Sequence, residues 1–168
     1  PGLDRALAEG LAAARAVKPF VVALGVDGNG EAKPIHAPFL AMVDDTRMGL
    51  ALFGRDEDGV TRRYRLSLPT QDGSFPTFVG RLCAGLAADC RAGMVDYALG
   101  APYRYVSLAR VLELDPAGLA KLFGDRVVLV GETQRFTDRI AQPVNLAGWE
   151  AGGGHDAPGV LAHAQALR

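Results

Sequence analysis

Glu132, Thr133, Arg135 and Asp138 stand together just after the apolar run at residues 127–130. Two carboxylates, a hydroxyl and a guanidinium within seven positions supply charge of both signs and both hydrogen-bonding roles. In an open α/β sheet, ligands bind in the crevice beyond the carboxyl ends of the strands. If residues 127–130 form such a strand, these four side chains line that crevice. The plainer alternative is that Glu132 and Asp138 tie the loop together through backbone N–H groups. His163 follows on the last helical stretch and joins the candidate ligand-binding set, although a lone histidine there also fits a packing role.

Other constellations carry less. Asp56, Glu57 and Asp58 offer hard oxygen ligands, but their spacing misses the EF-hand pattern, and a run before Gly59 reads as a solvated turn. His36, His155 and His163 are too dispersed for a metal centre. The sequence has no nucleophile elbow, phosphate loop, dinucleotide fingerprint or zinc motif. No catalytic residue, metal or cofactor is therefore expected. The net charge of −1 argues against a nucleic-acid partner.

The elements that must position the candidate residues follow from periodicity. Leu3, Leu7, Leu11 and Ala14 predict a helix capped by Asp4 and running to about Val17. Residues 20–26 read as a buried strand, residues 27–30 as a turn, and a short helix is placed after Pro38. Residues 48–53 and 60–68 read as strands that form a hairpin around a short acidic loop. In the second, Val60, Arg62, Tyr64, Leu66 and Leu68 alternate with Thr61, Arg63, Arg65 and Ser67. Ser74 is expected to cap a long amphipathic helix with the stripe Phe75, Phe78, Val79, Leu82, Cys83, Leu86 and Cys90. On that helix Cys83 and Cys90 lie ~10 Å apart, too far for a bridge, so both are expected as free thiols. A short strand is placed at residues 95–99. Asp115 and Pro116 predict a helix start. Residues 127–130 read as a buried parallel strand, and a helix closes the chain from Val160 to Arg168. The resulting fold class is an α/β sandwich with a mixed central sheet flanked by helices, including one antiparallel hairpin. The first and last strands are expected side by side at its centre.

Three segments in order resemble one family. LFGRDEDGVTRRYRL (residues 52–66) is similar to a D-x-D-G-V-x-R-R hairpin. YVSLARVLELDPAGLAKLFGDRVVLVGET (residues 105–133) resembles a run ending in V-l-I-G. Asp138 to Pro143, followed by APGVLAHAQAL (residues 157–167), is similar to a D…T-P…P-G-v-x-x-H-A-n pattern. These resemble the second CHASE family of sensory extracellular domains associated with cyclases and histidine kinases. Gln142 stands where the pattern has Thr, and Gln165 where it has Asn.

The resemblance implies one extracytoplasmic sensory domain over residues 1–168, expected to lack its N-terminal portion and its flanking transmembrane helices. It implies the periplasmic face of a bacterial inner membrane and a cytoplasmic adenylate or guanylate cyclase, histidine kinase or Ser/Thr kinase. The expected partners are a small-molecule or peptide signal and a second copy of the chain in a homodimer. The alternatives are a dimerisation or protein-interaction module without a small ligand, and a soluble α/β enzyme, against which the missing motifs count.

Overall fold

The computed structural model describes residues 2–17, 20–27, 32–70, 73–134, 137–150 and 155–168. The expected turn at residues 27–30 falls mostly outside them. The fold is mixed α/β, with helices and four two-stranded sheets among the described residues. The chain divides into two compact units: residues 1–55, 62–95 and 167, and residues 56–61, 96–166 and 168.

In the first unit, helix α1 (Gly2–Val17) begins two residues before the expected cap at Asp4. Strand β1 (Val22–Leu24) precedes helix α2 (Ala37–Leu40) and lies parallel to β2 (Met48–Leu50), with Ala23 opposite Gly49. Leu24, Val43, Met48 and Leu50 form the core here, packed by Phe20, Val22 and Phe75. The hairpin expected between residues 48–53 and 60–68 shrinks to an isolated bridge between Gly54 and Arg63. Strand β3 (Arg63–Tyr64) is short, and β4 (Ser67–Thr70) instead forms a hairpin with β5 (Gly73–Pro76). The sequence alternation survives this change. Residues 62, 64, 66 and 68 are half-buried and 63, 65 and 67 exposed, while Thr61 is buried.

Helix α3 (Phe78–Gly85) starts later than expected, because Ser74 and Phe75 belong to β5. Thr77 is the cap. Its hydroxyl accepts from the Gly80 N–H at 3.0 Å and donates to the Arg65 carbonyl at 2.6 Å. One hydroxyl thus caps the helix and ties it to the segment before β4. Arg81 then donates to the Met48 carbonyl at 2.9 Å, fastening the helix to β2.

The far end of α3 overturns the expectation of free thiols. The helix stops at Gly85, Ala87 turns left-handed at φ 50°, and the Ala88 N–H returns to the Cys83 carbonyl at 3.0 Å. This reversal brings Cys90 back until its Cα is 6.0 Å from that of Cys83, and the two form a disulfide. The ~10 Å separation held only for an unbroken helix. Strand β6 (Gly93–Met94) follows, two residues before the strand expected at 95–99, and pairs with β3.

In the second unit, α4 (Leu108–Leu112) precedes α5 (Pro116–Phe123). The α5 start matches the sequence reading: the Asp115 carboxylate accepts from the Gly118 N–H at 2.7 Å, with Pro116 behind it. Strand β7 (Arg139–Ala141) pairs antiparallel with β8 (Asp156–Pro158), which runs into α6 (Gly159–Ala166). Leu146, Ala147, Ala157 and Leu161 form this unit's core, with Tyr103 and Trp149 packed on it.

Residues 127–130 depart furthest from expectation. Among the described residues they join no ladder, so the expected strand pairing with β1 is not formed. Val127, Val128 and Val130 are 51%, 46% and 89% exposed. An apolar run bounded by turn signals identifies a segment that favours pairing, but it does not supply the partner.

Candidate functional site

The site is organised around the start of α6. Pro158 closes β8 and Gly159 opens the helix. Asp138 lies against this junction. Its carbonyl accepts from the Gly159 N–H at 2.7 Å, and a Cβ at Gly159 would stand 2.8 Å from its carboxylate oxygen Oδ1. Glycine is thus the residue that lets the carboxylate approach the helix N-terminus, where peptide dipoles favour negative charge. Asp138 itself is held left-handed, at φ 46°, a conformation uncommon outside glycine but tolerated by aspartate.

Glu132 approaches the same carboxylate. Desolvation raises the Asp138 pKa above its ordinary value, and the negative charge of Glu132 raises it further. Gly131, beside Glu132, packs directly on Val160 of α6, since a Cβ there would stand 2.6 Å from the valine Cβ. The segment carrying Glu132 and the residue Asp138 therefore both rest on the first turn of one helix.

Of the expected site residues, the structure brings Glu132 and Asp138 together. Thr133 is half-buried beside them in sequence. Arg135 lies outside the described residues. His163 is on α6, one turn beyond Gly159, and is buried with 7% of its surface exposed. Burial lowers its pKa to about 4, so it is neutral at ordinary pH. The acidic residues 56–58 form a turn: the Asp58 carboxylate accepts from the Val60 N–H at 3.1 Å, and Gly59 takes φ 80°. No cluster of potential metal ligands occurs among the described residues.

A family model for the CHASE2 domain matches residues 2–168. The chain belongs to the CHASE2 domain family. CHASE2 domains are extracellular sensory domains of signalling receptors and are not catalytic. No curated protein and no solved structure matches the chain. No helix among the described residues is long and apolar enough to cross a membrane. For a CHASE2 domain the Cys83–Cys90 bridge has a chemical consequence, since disulfides persist in oxidising compartments and are rare in the cytosol.

Beside the candidate residues, the structure holds others that sequence reading missed. Arg139, the residue after Asp138, makes a two-armed contact with Glu150, at 2.7 and 2.8 Å. It also donates to the Asp156 carboxylate at 3.2 Å and to the Asp156 carbonyl at 2.7 Å. The Arg139 and Glu150 side chains are only 12% and 14% exposed. Hydrogen bonds to Glu150, followed by Asp156, raise the arginine's pKa, so its charge is permanent. Nothing in the local pattern pairs residues 139 and 150, and Glu150 lies outside both β7 and β8. At the other end of α6, the Gln165 amide donates to the Leu99 carbonyl at 2.9 Å. Arg168 reaches the same carbonyl at 2.8 Å and lies 4.0 Å from the Tyr103 ring centre. The helix is thus held at both ends.

Proposed function

We propose that this CHASE2 domain is the extracytoplasmic sensor of a bacterial membrane-bound receptor, on the periplasmic face of the inner membrane. Its output is a cytoplasmic adenylate or guanylate cyclase, histidine kinase or Ser/Thr kinase. The signal, a small molecule or peptide, is received at Glu132, Thr133, Arg135, Asp138 and His163. The observation that carries this reading is the seat of Asp138 and Gly131 on the first turn of α6. A ligand that alters the charge balance of Glu132 and Asp138 acts on that helix without a long relay. To transmit, it must bind the two states of the domain with different free energies.

The test compares Glu132→Gln and Asp138→Asn in the full-length receptor and in this chain. Effector activity changes in both variants, while the melting temperature of the domain changes little. Normal output from both variants, or unfolding of both, refutes a sensing role for these carboxylates and leaves them as loop ties.

A further inference from the structure

Helices α4 and α5 flank a groove of about 500 Å³ lined by Val106, Arg110, Leu114, Gly118, Lys121 and Leu122. That volume lies in the range of small-molecule sites. Gly118, Lys121 and Leu122 share one face of α5 by their spacing. Leu114, Gly118 and Leu122 are half-buried and form the floor, while Arg110 and Lys121 are exposed at the rim. Glycine is disfavoured inside a helix, and the packing accounts for this one. A Cβ at Gly118 would stand 3.2 Å from Leu114 Cδ2 and 3.0 Å from Oδ1 of Asp115, the residue that caps α5. The bare glycine lets Leu114 lie close against α5.

The lining chemistry selects the occupant. Val106, Leu114, Gly118 and Leu122 have no hydrogen-bonding side chain. The walls are helices whose backbone groups bond within the helix or to the caps Ser107 and Asp115. An extended peptide or a sugar would leave its own polar groups unpaired against such walls, whereas a hydrocarbon chain has none to pair. The two charged lining residues are both cations, and no carboxylate lines the groove. Arg110 meets Glu113 through one arm at 3.1 Å, with side chains 63% and 65% exposed, a surface pair that water screens and an incoming anion can replace. Both cationic side chains combine an apolar stem with a charged head, which suits a chain that ends in an anion.

We propose that the α4–α5 groove binds a medium-chain fatty carboxylate, its hydrocarbon chain against Val106, Leu114, Gly118 and Leu122 and its carboxylate at Arg110 and Lys121. The groove shares no residue with the sensing site proposed at Glu132 and Asp138. Binding here is read as heat on this chain and the sensing role as effector output, so either stands when the other fails.

Isothermal titration calorimetry of the 168-residue chain with hexanoate, octanoate and decanoate, each below its micelle concentration, tests it. Affinity rises by up to about fourfold per added CH2 as apolar surface leaves water. Octanol, the same chain without the charge, binds about 10-fold more weakly than octanoate. Arg110→Gln with Lys121→Gln lowers octanoate affinity to that of octanol and leaves octanol unchanged, a split that a structural role for either residue would not produce. Val106→Asp, at a position 41% exposed, abolishes binding of both by setting a carboxylate in the groove. Circular dichroism confirms that each variant is folded. Absence of decanoate binding, an affinity indifferent to chain length, or a double variant that still distinguishes octanoate from octanol overturns the inference. So does adsorption to phosphatidylglycerol vesicles without uptake of the free carboxylate, which would make this a membrane-facing surface.

Discussion

Breaking the Cys83–Cys90 bridge tests the reversal after α3 that brings the two cysteines together. The cysteines are seven residues apart, so the bridge closes a loop of about eight residues. Chain-entropy arithmetic for such a loop gives about 2.5 kcal/mol of stabilisation, exerted mainly on the unfolded state. In a chain of this size 1 kcal/mol moves the melting temperature by about 2–4 °C. Loss of the bridge should therefore lower it by about 5–10 °C. The assay is a thermal melt of the wild type with and without reductant, beside a Cys83→Ala, Cys90→Ala double variant. Reductant should lower the wild-type midpoint towards that of the variant and leave the variant unmoved. Cys83 is 3% exposed, so the double variant also loses some packing, and the reductant arm isolates the covalent term. Alkylation of two thiols in the untreated, folded protein would refute the bridge. A reductant-insensitive midpoint would refute its stabilising role.

His163 makes stability pH-dependent. Its folded pKa of about 4 lies below the ordinary 6.5, so the unfolded chain binds the extra proton between those values. Its contribution is complete above pH 6.5 and is lost as pH falls towards 4, about 3 kcal/mol over the window; His163→Leu should remove that slope from denaturant titrations at successive pH values. Arg139→Met leaves the Glu150 carboxylate buried without its guanidinium and should cost about 3–5 kcal/mol by urea unfolding, whereas an unchanged midpoint would deny the pair its role. Gln142 is fully buried, and its amide nitrogen and oxygen find no hydrogen-bond partner among the described residues. Gln142→Met keeps the shape without the desolvated amide and should stabilise by about 1–3 kcal/mol; a lower melting temperature would show that the amide is paired.

Legibility in the sequence followed the range of the interaction. The start of α5 was readable because Asp115, Pro116 and Gly118 act within one turn. The inside-outside alternation of residues 62–68 was readable because it is a period-two burial pattern, whichever strand it pairs with. Which strands pair was not, since β4 takes β5 and β3 takes the distant β6, partners that no local rule selects. The α3 stripe continued past Gly85 on paper, because Leu86 and Cys90 kept the helical period. The left-handed Ala87 that breaks it is an uncommon conformation for alanine and leaves no compositional mark. Glu132 and Asp138 stood out by charge and position, whereas Arg139 and Glu150 meet across a separation of 11 residues that no local pattern links.

The misjudged residues 127–130 and the candidate site residues are connected by one physical fact. The same nine-residue stretch from Arg126 to Gln134 holds an unpaired apolar run and the first carboxylate of the site. Gly131 links the two by packing on Val160, so the run and Glu132 cannot shift independently of the first turn of α6. Under the sensing role proposed above, a signal that neutralises either carboxylate removes the repulsion between Glu132 and Asp138 beside that turn, and so acts on the start of α6 directly.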